Sequence, residues 1–453
     1  MRSSASSALV VLALVALAAA SAFAAPAHPH TPLAGQALDG HKVYRITAQS
    51  DEQLRMLNSF VEMWDTYVDV WRDIRSVEHP VDIRVPESLQ KQFVSFLDMI
   101  EVEHTVIVEN VAELVQEQMD DIRARASSFV LSADNVHDDG WYSNYQTFEN
   151  ITAWLTTLQA KYPSLVTINI VGTTYEGRSL PAITISSNST SGKPKPGIWI
   201  DAGIHAREWI TTGTAVYMIG NLLEGYGVNA NITAIVDAFD WTILPVFNAD
   251  GYTYTWSNAL DARMWRKTRS KNAGSLCVGT DPNRNWDFHW GEAGTSTNPC
   301  SDSYQGKSAF SEIEIKSVAD YIKTKGTYVI YVDLHSYGQL WMSPWGYTDT
   351  KPADFNTQDA GSIAGVNAVV AAATTLPAAV FTHGTICSTI YPASGSSADW
   401  TYGVAGIVYS YGIELRDTGT YGFVLPASYI VPSGNEMLAG FIALAKYVAT
   451  QLK

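Results

Sequence analysis

The residues best suited to chemistry begin with Gly203-Ile-His205-Ala-Arg207-Glu208-Trp209, directly after the apolar run Gly197-Ile-Trp-Ile-Asp-Ala202. His205 and Glu208 are spaced i, i+3. If the chain turns into a helix here, both side chains point to one side. An imidazole and a carboxylate on one face are suitable zinc ligands. The pair alone is a weak signal, because salt-bridged His/Glu pairs are common. A third donor stands at the end of another apolar run, His335 in Tyr331-Val-Asp-Leu-His335-Ser. Two imidazoles, one carboxylate and a fourth position left to water make an open, catalytic type of zinc site. Taken alone, His335 reads as an ordinary core histidine. The HExxH pattern does not occur, and the other histidines show no ligand spacing.

Hydrolysis at such a site needs a proton acceptor that is not itself a ligand. Glu414 ends the apolar run Tyr409-Ser-Tyr-Gly-Ile-Glu414 and is either that group or a partner for Arg416. Acyl transfer also needs donors for a developing oxyanion. Arg263-Met-Trp-Arg266-Lys-Thr-Arg269 is a basic cluster in an acidic chain, and Asp281-Pro-Asn283-Arg284-Asn285 adds an arginine beside an amide. Arginine suits bidentate recognition of a carboxylate. The plainer reading is surface ion pairing, which is worth little.

These residues need a frame. From about residue 135 helical stretches alternate with β-branched apolar runs. The pattern predicts one large α/β domain with a mainly buried, mixed central sheet flanked by helices. Long Gly/Asn/Ser loops are expected at 251–310 and 384–403, where sites usually form. Before it, residues 41–109 read strand, helix, strand, strand, helix, strand. That order predicts a small α+β open sandwich with both helices on one face. A further helix is expected from Val111 to about Ser128, ending in Arg123 and Arg125.

Residues 1–24 carry Arg2, an apolar run from Ala8 to about Ala20, and Ala22-Phe-Ala24. This is the pattern of a secretory signal peptide, and the run is short for a bilayer span. A secreted, extracellular protein without a membrane anchor is expected. Asn150, Asn188 and Asn231 head N-x-T sequons. The 453 residues include 29 basic and 45 acidic ones, a net charge of −16, which argues against a nucleic-acid partner. Residues 25–125 hold twice as many acidic as basic side chains. Only 3 cysteines are present, so at most one intrachain bridge can form. Cys277 and Cys300 flank a small, polar stretch and are the expected pair in an oxidising compartment. The sequence leaves other pairings open, and Cys387 would remain as a buried free thiol.

The blocks HAREW, RMWRKTR, DPNRNWD, DLHSYGQL, IYPASGSSADWTY and IELRDTGTYGF, in this order and spacing, resemble those of secreted metallocarboxypeptidase proenzymes of the carboxypeptidase A/B family. The resemblance covers nearly the whole chain. It implies a signal peptide at 1–24, an activation prosegment with its connecting helix at 25–125, and a catalytic domain at 126–453. It implies one Zn2+ per chain held by His205, Glu208 and His335. Glu414 matches the general base/acid, and Arg266 the group that polarises the scissile carbonyl. Asn283, Arg284 and Tyr391 match the residues that hold the substrate's terminal carboxylate. Arg207, Tyr337 and Phe423 match further positions of the binding cleft. Asp281 matches a carboxylate that orients a liganding histidine, and Cys277–Cys300 matches the family's disulfide.

By the same matching, the pocket for the last residue is lined by Ala398, where an Asp marks the branch that removes Lys and Arg, and by Ile386, Met342, Gly346 and Gly412. The implied activity is release of C-terminal aromatic or large aliphatic residues. A basic-specific enzyme and a non-catalytic binder of C-terminal carboxylates are the alternatives. The implied partners are peptide C-termini and a trypsin-like activator cutting near Arg123 or Arg125, with the protein a monomer. The acidity of the prosegment suggests docking over the arginine-lined cleft.

Overall fold

The computed structural model describes residues 38–452, apart from 73, 78, 127–140, 142, 188–193, 260 and 374–378. Residues 1–24, where a signal peptide is expected, and Asn188 therefore lie outside the described residues.

The N-terminal part runs β1 (Lys42–Thr47), α1 (Asp51–Met63), β2 (Asp69–Arg72), β3 (Pro80–Val85), α2 (Glu87–Met99) and β4 (Glu103–Val108). The antiparallel sheet has the order β2-β3-β1-β4. Ser50 caps α1 by accepting from the Gln53 amide. Leu57 and Phe60 of α1 and Phe93, Phe96 and Leu97 of α2 are buried against Tyr44, Ile46, Val81 and Ile83 on one face of the sheet. Phe60 stacks on Phe96 at 4.6 Å. Strand side chains alternate between faces, so Val43, Trp71 and Val108 emerge on the other side. There they join Met264, Tyr337, Phe423 and Val424 in a separate apolar cluster. The small sheet is thus apolar on both faces, and its second face is covered by the large domain.

The connecting helix α3 (Val111–Ala126) leads on to α4 (Phe148–Lys161) and the large domain. Its strands are β5 (Val166–Thr173), β6 (Ser179–Ile185), β7 (Gly197–Ala202), β8 (Asp240–Leu244), β9 (Tyr328–Ser336), β10 (Leu340–Ser343), β11 (Thr382–Thr385) and β12 (Tyr409–Leu415). They form one mixed sheet in the order β11-β10-β12-β9-β7-β8-β6-β5. The central strands β12, β9, β7 and β8 are parallel. Residues 197–202 are buried throughout, as expected of a strand covered on both faces. Helix α5 (Trp209–Gly225) leaves β7 with 14 of its 17 residues buried. It packs beside the C-terminal helix (Ile430–Gln451).

Two expectations need correction. His205 and Glu208 do not lie on a helix. Gly203 turns the chain with φ +67°, the Ala206 amide donates to Arg266 O, and Glu208 is the residue before α5 with φ −85° and ψ 60°. The two side chains meet because Glu208 N–H donates to His205 O at 3.2 Å, a tight turn with the same i, i+3 outcome. The stretch 384–403 is not one loop. It contains the end of β11 and two short helices, Ile386–Thr389 and Ser397–Gly403, each capped by a preceding Thr or Ser hydroxyl. Cys277 and Cys300 form the disulfide, and Cys387 is a buried free thiol.

Candidate active site

Parallel strands bring their carboxyl ends to one edge of the sheet, where open α/β sheets form their sites. Asp201 pairs with Asp333, and Glu414 of β12 lies directly beside His335 of β9. The turn after β7 swings His205 and Glu208 over the same edge. His205, Glu208 and His335 are at most 6% exposed, and one donor atom from each lies within 4.8 Å of the others. The atoms that converge are the two Nδ1 nitrogens, 3.2 Å apart, and the Glu208 carboxylate, 2.9 Å from His205 and 3.4 Å from His335.

The outer ring nitrogens are also fixed. His205 Nε2 is 3.0 Å from Asp281, and His335 Nε2 is 3.0 Å from Asp333. A carboxylate behind each imidazole keeps the proton on Nε2 and turns Nδ1 inward as a donor. Two inward Nδ1 atoms plus one carboxylate are a donor set that fits zinc. Asp333 was not singled out from the sequence. The signal was the i, i+2 spacing of Asp333 and His335 on one strand, which puts both on one face. Ser397 Oγ donates to Asp333 at 2.6 Å and holds it in place.

Arg266 donates to Asp281 through Nη2 at 2.8 Å, and its Nη1 is 3.9 Å from Glu208. Burial alone would raise the Asp281 carboxyl. The charges of Arg266, His205 and Arg284 outweigh it and hold the group well below the usual carboxylate range. Burial likewise works against the Arg266 cation, and Asp281 and Glu208 more than restore it. Arg266 is therefore a fixed positive charge beside the His205/Glu208/His335 cluster.

Asn283 and Arg284 lie on a short turn capped by Asp281, which accepts the Asn283 amide at 2.9 Å. Arg284 Nη2 donates to the Tyr391 hydroxyl at 2.7 Å, and Ser397 N–H donates to Asn283 Oδ1 at 2.8 Å. Met342, Ile386 and Ala398 line the same ≈ 950 Å³ cleft and pack with Leu340 in one apolar cluster. Gly412 also lines the cleft, and a Cβ built on it meets no atom within 4 Å.

The N-terminal domain occupies the rim. Arg207 Nη1 contacts both Asp69 oxygens at 2.9 Å, and its guanidinium lies 4.2 Å over the Phe423 ring. Burial favours the neutral form of Asp69, but Arg207 and Arg84 hold its carboxyl far below the ordinary range. Tyr337 donates to Asp82 at 3.0 Å, and Arg45 clamps Asp82 through two 2.7 Å contacts. On α3, Gln118 donates to Leu425 O at 2.9 Å and accepts from Arg263 Nε at 2.8 Å. Sequence reasoning offered only the bulk acidity of this segment. The structure shows two buried aspartates, each seated on one cleft residue.

A carboxyl-edge His/Glu/His cluster in a cleft whose rim carries an N-terminal domain is the arrangement of a metallopeptidase proenzyme. A zinc carboxypeptidase family model matches residues 151–440, and a carboxypeptidase activation peptide model matches residues 44–118. Carboxypeptidase A1 of Homo sapiens is 40% identical over 411 residues, 90% of this chain and 94% of that protein. Carboxypeptidase A1 of Sus scrofa is 38% identical over 420 residues, 92% of this chain and 95% of that protein. The crystal structure of a carboxypeptidase A from Helicoverpa armigera superposes with TM-score 0.83 at 28% identity, over 92% of this chain and 99% of that one. The chain belongs to the zinc carboxypeptidase family and carries the family's activation peptide. It is a metal-dependent hydrolase of peptide bonds, of the carboxypeptidase A type.

Proposed function

We propose that this chain is the secreted zymogen of a zinc exopeptidase that removes C-terminal aromatic or large aliphatic residues. The observation that carries the reading is the apolar cluster of Met342, Ile386 and Ala398, which lines the same cleft as Arg284 and the His205/Glu208/His335 cluster. In this reading residues 1–24 are a signal peptide, 25–125 the prosegment and 126–453 the catalytic domain. A trypsin-like protease cuts near Arg123, which is exposed, or Arg125. The active protein is a monomer. Among the described residues no helix is long and apolar enough to cross a membrane.

His205, Glu208 and His335 hold the zinc, and Asp281 and Asp333 orient the two imidazoles. When bound, zinc supplies a Lewis acid and lowers the pKa of a water molecule toward neutrality. The peptide's terminal carboxylate binds Arg284 and Asn283, with Tyr391 closing over it. Tyr391 already occupies a donor of Arg284, so substrate exchanges one acceptor for another. An internal peptide offers no terminal carboxylate to take Tyr391's place, and a site built for a polar group that the ligand lacks can discriminate by about 10⁴ or more. Arg266 faces the scissile carbonyl and stabilises the oxyanion. Glu414, beside His335, takes a proton from the attacking water and delivers it to the departing amide nitrogen. The last side chain enters the Met342/Ile386/Ala398/Gly412 pocket. A basic side chain would meet no counter-ion there and lose about 2–5 kcal/mol.

The test is activity of the trypsin-treated protein on blocked dipeptides ending in Phe, Leu, Lys or Arg, with and without a zinc chelator. Chelator-sensitive release of Phe and Leu is expected, appearing only after trypsin. Release of Lys or Arg instead would overturn the pocket assignment. No release from folded, zinc-loaded protein would overturn the enzymatic roles.

A further inference from the structure

Arg84 of β3 lies directly opposite Asp69 of β2, so the two side chains share a face of the small sheet. Arg84 Nε donates to Asp69 at 3.0 Å, and Arg84 Nη1 donates to His41 Nδ1 at 3.0 Å. Asp69 also accepts from Arg207 of the large domain at 2.9 Å. The contacts His41–Arg84–Asp69–Arg207 thus form one chain across the domain boundary. A guanidinium has no acceptor, so His41 Nδ1 must offer its lone pair. A proton on Nδ1 would set two donors and two cations against each other.

Burial and the Arg84 charge push the His41 imidazole down to about 4, while the Asp69 charge works the other way. Other charges nearby have partners of their own. Lys42 donates to Glu109 at 2.6 Å, and Asn110 donates to Asp39 at 3.1 Å and to Glu113 at 3.2 Å. Glu87 of α2 lies beside Gly40, and Asp302 lies 3.4 Å from Arg207. Docking acts on His41 through Asp69. With Arg207 in place, the charge that favours an imidazolium is shared with a second guanidinium, and release of the prosegment frees it. The released state therefore takes up a proton more readily than the docked state. By reciprocity, a proton on His41 weakens docking by the same factor. Docking is at full strength above pH 6.5, where His41 is neutral in both states, and weakens as pH falls toward 4. Asp69 stays ionised in that window, because Arg207 and Arg84 hold its carboxyl far below the ordinary range.

We propose that His41 is an acid-sensitive latch of the prosegment. Protonated, it repels Arg84 and loosens the hold of Asp69 on Arg207, so the cleaved prosegment leaves its cleft faster in mild acid than at neutral pH. The inference rests on the cut near Arg123 or Arg125 in the proposed function.

The experiment cuts the full chain with trypsin and dilutes it at about pH 7.5 or about pH 5, the span in which an ordinary histidine titrates. Size-exclusion chromatography follows the fraction of prosegment still bound. Departure should be about tenfold faster at the lower pH, an ordinary coupling between two sites. His41→Asn keeps an acceptor near the place of Nδ1 and cannot take up a proton, so its two rates should be equal. His41→Gln takes its place if that variant does not fold. His79→Asn, at an exposed histidine bonded to Ser76, should respond like the parent. Equal rates for the parent at both pH values overturn the inference, as does an acid response that the His41 variant retains. If trypsin frees no prosegment, the cleavage reading falls, and amide exchange in the uncut chain decides this inference separately. Protection of residues 69–72, corrected for the intrinsic rate, should drop at the lower pH in the parent and not in the His41 variant. Equal protection of the parent at both pH values overturns the latch.

Discussion

Replacing Gly412 with valine tests whether the space beside it is the pocket for the last side chain. Gly412 sits on β12 between Tyr411 and Ile413, both fully buried, and pairs with Met342 and Asp333. Its own Cβ would touch nothing within 4 Å, so a larger side chain grows into cleft and not into protein. Three added carbons take volume that a substrate ring would fill. A pocket mismatch of one methylene is worth about 1–3 kcal/mol. The expected loss of kcat/KM on Trp- and Phe-terminated substrates is therefore about 5- to 150-fold. Alanine-terminated substrates, which do not reach that depth, should change by less than about 3-fold on the same scale. Stability should hold or rise, because a strand-interior glycine costs about 0.5–1 kcal/mol relative to alanine. Initial rates on dipeptides ending in Trp, Phe, Leu and Ala, with urea unfolding of the same variant, give both readings. A uniform loss across the four substrates, or a clear drop in stability, would refute the assignment.

Asp69→Asn removes the close partner of a buried arginine, a change that typically costs about 3–5 kcal/mol. The uncleaved variant should hydrolyse substrate at least about tenfold faster than the uncleaved parent, since that cost far exceeds one decade. Raising salt on the parent should do little, because both groups of the pair are buried and poorly screened. Glu314→Gln should stabilise the protein at pH 8 and hardly at pH 5. Burial lifts the Glu314 carboxyl from 4.5 to about 7 against the hydrogen bond from Tyr175 N–H. The folded state thus holds that proton where the unfolded chain has lost it, and stability falls as pH rises from 4.5 toward 7. Glutamine keeps the acceptor and removes the charge, for a gain of about 1–3 kcal/mol at pH 8 by urea unfolding. Replacing both Cys277 and Cys300 with serine opens a loop with sequence separation 23. A loss of about 3 kcal/mol in the same assay is expected.

Three of the central strands were legible because each is a continuous apolar run with a chemically unusual residue at or just after its end. β7 ends shortly before His205, and His335 and Glu414 are the next-to-last residues of β9 and β12. Their parallel register could not be read, although it is what puts Glu414 beside His335. β10 and β11 are four residues each, and β11 (Thr-His-Gly-Thr) has no apolar signal at all. The helix Phe355–Ala372 carries Gly, Ser and Asn among small apolar residues, which blurs its period. The contacts that close the cleft were the least legible. Asp69 meets Arg207 across 138 residues and Asp82 meets Tyr337 across 255. Local spacing says nothing about pairs formed only when two domains dock.

Gln118 has a consequence for the timing of activation. It lies upstream of both Arg123 and Arg125, as does Ile122, which is buried in the core of the large domain. A cut at either arginine leaves these anchors on the departing fragment, still attached to Leu425 and Arg263. Before the cut, the prosegment meets its cleft at the effective concentration of a tethered ligand, on the order of millimolar for a short flexible tether. After it, the same contacts belong to two molecules. Cleavage therefore converts an intramolecular lock into an ordinary dissociation equilibrium, and full activity depends on how far the mixture is diluted as well as on how fast the bond is cut.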